Sequence, residues 1–244
     1  MEDPILINKE QLDPDAVLWR YMDFPKFLLM LQRRSLYFTR VGELWDQYEG
    51  HVTQADYDSY QEDYMPRSGP KDLESYGEIM DQVEEARTKY YVNCWREGNS
   101  ESVGMWKVYT RDGYGVALRS DVKSLQGSLG FVDIQDDGYE LEIDKVRYTD
   151  HYDHVAPFNP QFPKILRKGE EYQFENEVRI YIRTDIEPQP GIHVETNLAV
   201  LIDEVITGPR VEDWYFDLVS KTMDKYNLHN KLVRRSILDE SPRT

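Results

Sequence analysis

The chain has 244 residues, a formal net charge of −17, 40% hydrophobic residues and 18 tyrosines, enough apolar material for a sizeable core. Such a charge repels nucleic-acid phosphates and anionic lipid, so non-specific nucleic-acid binding is not expected. No apolar run is long enough to span a membrane. One cysteine, Cys94, excludes an intramolecular disulfide, and the start MEDPILINKEQ lacks the basic and apolar regions of a signal peptide, which together suit a reducing cytoplasm.

In chain order, LWRYM at 18–22 reads as a strand. A helix follows, capped by Asp23, with Pro25 in its first turn and Phe27, Leu28 and Leu31 at helical spacing up to Arg33. LYFTR at 36–40 is a second strand, after which GELWDQYEGH is too polar and broken to continue a sheet. From Lys71 to Tyr90 the pattern Leu73, Tyr76, Ile79, Met80, Val83 suits an amphipathic helix, so residues 52–90 read as a helical insertion. YVNCW at 91–95 is strand-like, and REGNSES leads into a short helix, VGMWKVYT, whose N-cap is Ser100 or Ser102. Strands are expected at 115–120, 131–134, 145–149, 177–183, 191–195 and 200–207. A helix over Glu212–Tyr226 and a last strand, KLVRRSIL, follow. No internal repeat or low-complexity linker occurs. The expectation is therefore one α+β domain over 1–244, with mixed, mainly antiparallel sheets of split β-sandwich character, flanking helices and the insertion.

The most informative stretch is EYQFENEVRIYIR at 171–183. Read as one strand, it puts Phe174, Val178, Ile180 and Ile182 on one face and Glu175, Glu177, Arg179 and Arg183 on the other, with the two glutamates roughly 7 Å apart. If that polar face lines a cleft, two carboxylates and a guanidinium act on one ligand; if not, they are ion pairs across a half-solvated sheet. Trp19-Arg20-Tyr21 sets a guanidinium between aromatics, fit for a phosphate or carboxylate or for pairing with a structural acid. In ESVGMWKVY, Ser102 opens a helix whose N–H groups favour an anion, with Trp106 and Tyr109 as ring surfaces or as core anchors. Asp150-His151-Tyr152-Asp153-His154 has the composition of a metal site without its spacing, and no metal is expected. Acid-rich surfaces at Asp46–Glu85 and Asp133–Asp144 read as solvated faces, the first also as a surface for a basic protein partner.

LWRY, LYF, Asp46-Gln47-Tyr48-Glu49-Gly50, NCW, ESVGMWKVY, GVALRS, VRY, FENEVRI and Gly208-Pro209, taken in order, resemble the prokaryotic family catalogued as domain-of-unknown-function family 2971. That family is related to partner proteins of abortive phage-resistance systems. The order of polar motifs is also similar, more distantly, to the arginine, serine, E-x-E pattern of mono-ADP-ribosyltransferases, whose split β-sandwich cleaves NAD at the nicotinamide–ribose bond. That resemblance implies NAD as substrate and a role in phage defence or a toxin–antitoxin system. By position it gives Glu177 the transition state, Glu175 the acceptor, Arg20 the NAD phosphate or ribose, and Ser102 or Ser100 the support of the glutamate. Together with Arg20 and Ser102, Tyr21, Trp106, Tyr109 and Arg179 are expected to bind the nucleotide. The alternatives are a non-catalytic interaction module and a metal-dependent nuclease or hydrolase using Asp46, Glu49 and the later glutamates.

Overall fold

The computed structural model describes residues 5–7, 12–46, 49–50, 81, 83–110, 113–129, 140–149 and 164–239. The expected strand at 131–134, the Asp150–His154 motif and most of the 52–90 insertion lie outside them, although residues 83–89 are helical as expected.

The described strands are β1 (Ile5–Ile7), β2 (Val17–Asp23), β3 (Ser35–Arg40), β4 (Tyr90–Glu97), β5 (Gly115–Asp121), β6 (Glu140–Lys145), β7 (Arg147–Thr149), β8 (Arg167–Gly169), β9 (Glu177–Arg183), β10 (Gly191–Glu195), β11 (Glu204–Thr207) and β12 (Leu232–Arg235). Ten form one open sheet in the order β1-β6-β9-β4-β2-β5-β11-β12, and β7 and β8 form a separate parallel pair. The sheet divides at β4. Its Leu18↔Glu97 end pairs with β2 and its Thr39↔Val92 end with β3, which carries β10. Pairing is antiparallel except for β1 with β6 and β11 with β12, so the architecture is α+β with a mixed, mostly antiparallel sheet.

Besides the helical residues 83–89, the described helices include α1 (Phe24–Arg33), α2 (Val103–Tyr109), α3 (Val122–Leu129), α4 (Leu198–Leu201) and α5 (Asp213–Lys225). The Asp23 side chain caps α1 by accepting from the Lys26 backbone N–H at 2.9 Å, and Pro25 sits in the first turn, where a missing N–H costs nothing. Ser102 caps α2 through the Met105 N–H. The expected strand over 200–207 forms only from Glu204, because Asn197 caps α4 with its side chain and Val200 and Leu201 finish that helix. β6 was read as a solvated acidic face, yet Leu141 and Ile143 alternate with its acids and are buried against β9.

Partners across a ladder share a face. Leu18, Met22, Trp95, Leu118, Val178, Ile180 and Val205 thus share one side of the sheet, where α1, α3, α4 and α5 cover them as the main core. Trp19, Tyr21, Cys94, Arg96, Glu177, Arg179 and Tyr181 lie on the other side. That second face is covered by α2, whose Met105 and Trp106 pack on Trp19 and Tyr21, and by Ile165 and Leu166 of the 3₁₀ turn Lys164–Leu166, which pack on Tyr181.

Candidate active site

β9 begins at Glu177 as expected, but the alternating faces carried back to Phe174 and Glu175 are interrupted at Asn176. Its φ of 38° is left-handed, a conformation asparagine tolerates, and it separates β9 from a 3₁₀ turn, Glu170–Glu175. Its side-chain amide donates to the Glu97 carbonyl at 2.9 Å, which holds the kink against β4. Phe174 accordingly leaves the core, 45% exposed, and lies against α2, where a Cβ on Gly104 would meet its ring at 3.2 Å. Glu175 is not on the strand. It still meets Glu177, because both reach the same lysine.

That lysine is Lys168, at the centre of a buried ionic cluster on the second face. Its Nζ lies 2.6 Å from Glu175, 3.3 Å from Glu177 and 3.4 Å from Glu49, and 4.7 Å above the Tyr172 ring. Arg179, fully buried, donates from Nε to Glu177 at 2.7 Å, pairs through Nη1 with Glu49 at 2.7 Å and donates to the Ile165 carbonyl, while its Nη2 has no hydrogen-bond partner. The Tyr109 hydroxyl donates to Glu175 at 2.8 Å, and the Glu177 N–H donates to the Tyr148 hydroxyl at 2.8 Å. Three carboxylates and two fixed cations are thus enclosed together, so the cluster carries a spare negative charge that one proton can cancel.

The two glutamates divide. Burial pushes both carboxyls up, and for Glu177 the Arg179 and Lys168 charges overcome it and hold the group down at about 2. Glu175 has Lys168 but no arginine, so burial, aided by the Glu177 charge, leaves it above the ordinary carboxylate range. Lys168 and Arg179 themselves are raised, since their carboxylate partners outweigh a burial that opposes the charge. The Cys94 thiol is pushed well up by burial and by Glu177, as a thiol and not a thiolate. Tyr109, 38% exposed, and Phe174 form the rim, so Glu175 lies one hydroxyl away from solvent and Glu177 deeper.

Of the residues singled out from sequence, Glu175, Glu177, Tyr109 and Arg179 meet in this cluster. Tyr21, Ser102 and Trp106 sit beside it on the same face in packing roles: the Ser102 N–H donates to the Tyr21 hydroxyl at 2.9 Å and Tyr21 meets Trp106 edge-on at 4.9 Å. Trp106 also donates to Glu101, which Arg234 and the Ile237 N–H tie to the C-terminal segment. Arg20 is elsewhere. Trp19 neighbours Arg96 and Arg96 neighbours Glu177, so Arg20, one residue on, points to the opposite face, over Trp95 at 5.9 Å. Its Nη1 is enclosed without a partner, and burial lowers its pKa to about 10. The expected meeting of Arg20 with Glu177 does not occur, because the period-two pleat separates them. Lys168 and Tyr148 carried no periodic signal. Glu49 belongs to the Asp46–Gly50 motif and was a candidate carboxylate for a metal; among the described residues no group of three or more His, Cys, Asp or Glu could hold one.

The chain matches no protein-family model and no curated protein. The family-2971 resemblance therefore rests on its motifs alone. Among solved structures the chain is similar to Thermus sp. 2.9 DarT in complex with ADP-ribosylated ssDNA, at 8% identity and a TM-score of 0.39 over 94% of this chain and 97% of that one. It is similar also to Thermus sp. 2.9 DarT in complex with carba-NAD+, at 8% identity and a TM-score of 0.36 over 93% and 98%. So distant a likeness carries no argument about chemistry. Among the described residues no helix is long and apolar enough to cross a membrane.

Proposed function

We propose that the Lys168 cluster is an acid–base site for breaking an N-glycosidic bond, with NAD as the substrate that the E-x-E resemblance suggests. The observation that carries the reading is the division of two carboxyls sharing one lysine, Glu175 raised and Glu177 held at about 2. When the nicotinamide–ribose bond breaks, its electron pair leaves with nicotinamide and the sugar becomes oxocarbenium-like. The ionised Glu177 stabilises that cation, and Glu175 takes the proton of the water or hydroxyl that attacks the sugar carbon. Phe174 and Tyr109 offer ring surfaces at the rim, and Arg179 Nη2 an unused donor. Arg20 has no part in this arrangement. A defence or toxin–antitoxin role rests on the motif resemblance alone.

A second reading is supported by the same contacts: Glu177 held by both Arg179 and Lys168 is also what a structural ion network requires. Glu177→Gln separates the two. The catalytic reading expects nicotinamide release from NAD by the wild type, falling roughly a hundredfold or more in the variant with NAD binding retained. No release by the wild type, with a lowered melting temperature for the variant, leaves the network reading standing.

A further inference from the structure

On the opposite face, the first turns of α1 and α5 bound a cleft of about 610 Å³ that the acid–base site does not use, lined by Asp23, Phe24, Lys26, Tyr114, Trp214 and Tyr215 among others. Four of these are aromatic, with Tyr215 in the middle. Phe24 meets Tyr215 at 5.8 Å and 69°, Tyr114 at 5.2 Å and 66°, and Trp214 at 5.8 Å and 81°. Tyr114 and Trp214 are inclined to each other by only 36° at 5.4 Å, but all three outer rings stand steeply to Tyr215, a corner of several faces that suits a compact group more than a flat heterocycle. Tyr215 is 2% exposed and its hydroxyl has no hydrogen-bond partner, whereas Trp214 is 56% exposed and leaves the cleft open.

The charges around it are mostly negative. Asp23 spends one oxygen on its helix cap and faces Lys26 Nζ only at 3.8 Å, with that lysine largely in solvent. Glu212 accepts from the Tyr114 hydroxyl at 3.0 and 3.2 Å, and Asp213 is paired with Arg235 at 2.5 Å. Of these carboxylates only Asp23 lines the cleft, with one oxygen facing no more than Lys26 Nζ at 3.8 Å, so an ammonium group meets both that oxygen and the electron-rich ring faces, which a neutral apolar guest does not. The volume exceeds what one ammonium fills and leaves room for its alkyl stem and the flanking backbone.

We propose that this cleft docks a lysine side chain of a partner protein, its ammonium held over Trp214, Tyr215 and Phe24 beside Asp23. The net charge of −17 would draw such a basic segment in. The test is binding of a short acetylated peptide with one central lysine, compared by titration calorimetry with the same peptide carrying norleucine, a neutral side chain of like length. The lysine peptide is expected to bind at least about tenfold more tightly, and Trp214→Ala to weaken it about tenfold. Asp23→Asn, which keeps the helix cap, is expected to weaken it several-fold at unchanged melting temperature. Equal binding of the two peptides, binding insensitive to both variants, no binding of the lysine peptide, or binding of free choline in its absence would each overturn the proposal.

Discussion

Arg179 is fully buried and Arg20 half-buried, on opposite faces of one sheet, and their surroundings have opposite effects. Arg179 meets two carboxylates and a carbonyl, and its pKa is raised well above the ordinary arginine value against the pull of burial. Arg20 has an indole face and, among the described residues, no carboxylate paired with it, and burial brings it down to about 10. Burial alone does not decide whether a charge is supported; the partner does. The paired face is therefore where two glutamates differ in proton affinity, Glu175 raised and Glu177 lowered, and the unpaired face offers no such control.

The largest effect is expected from removing the partner. Arg179→Met leaves Glu49 and Glu177 buried with Lys168 as the one cation that pairs with both among the described residues, and should cost about 3–5 kcal/mol of stability in urea denaturation. A cost below about 1 kcal/mol would mean that solvent reaches the cluster and that its charges are screened as on a surface.

A smaller, pH-resolved effect sharpens the comparison within the cluster. Glu177 is held at about 2 against a free value of 4.5, so its contribution is complete above pH 4.5 and is lost as pH falls from there through 2. Glu175 is raised, so it acts in the other direction and costs stability as pH rises from 4.5 through its folded value. Urea midpoints across acid and neutral pH should show Glu177→Gln flattening the acid limb, whereas Glu175→Gln removes the decline on the neutral side. Identical profiles for the two variants would show that the carboxyls titrate as one unit.

How much of this was legible in the sequence follows from which signals are local. Alternation located β9 to the residue, and the cap and proline located α1, because both patterns depend on neighbours along the chain. The face carrying Glu177 and Arg179 was legible for the same reason. Lys168 was not, since it reaches the glutamates through the tertiary packing of β8 against the Glu170–Glu175 turn, which no period encodes. Asn176 broke the strand one residue after Glu175 because a left-handed residue leaves no mark in hydrophobic spacing. The side on which Arg20 points follows from the β2–β4–β9 register, and register was beyond the sequence reading.

The smallest effect belongs to Arg20 itself, and it tests whether the second face takes part in function at all. Methionine matches the aliphatic length, keeps contact with Trp95 and Leu118 and removes a charge that has no partner, while giving up a cation–π contact worth about 0.5–1 kcal/mol. The two terms oppose, so Arg20→Met should leave stability within about 1 kcal/mol of wild type, in contrast to Arg179→Met. The informative measurement adds NAD. A ligand that binds only the folded protein raises its melting temperature by mass action, and if the nucleotide sits on the Lys168 face alone the rise should be the same in wild type and Arg20→Met. Loss of that rise in the variant, with the unliganded melting temperature unchanged, would place Arg20 in the nucleotide's path after all, and would require the sheet to present both faces to one ligand.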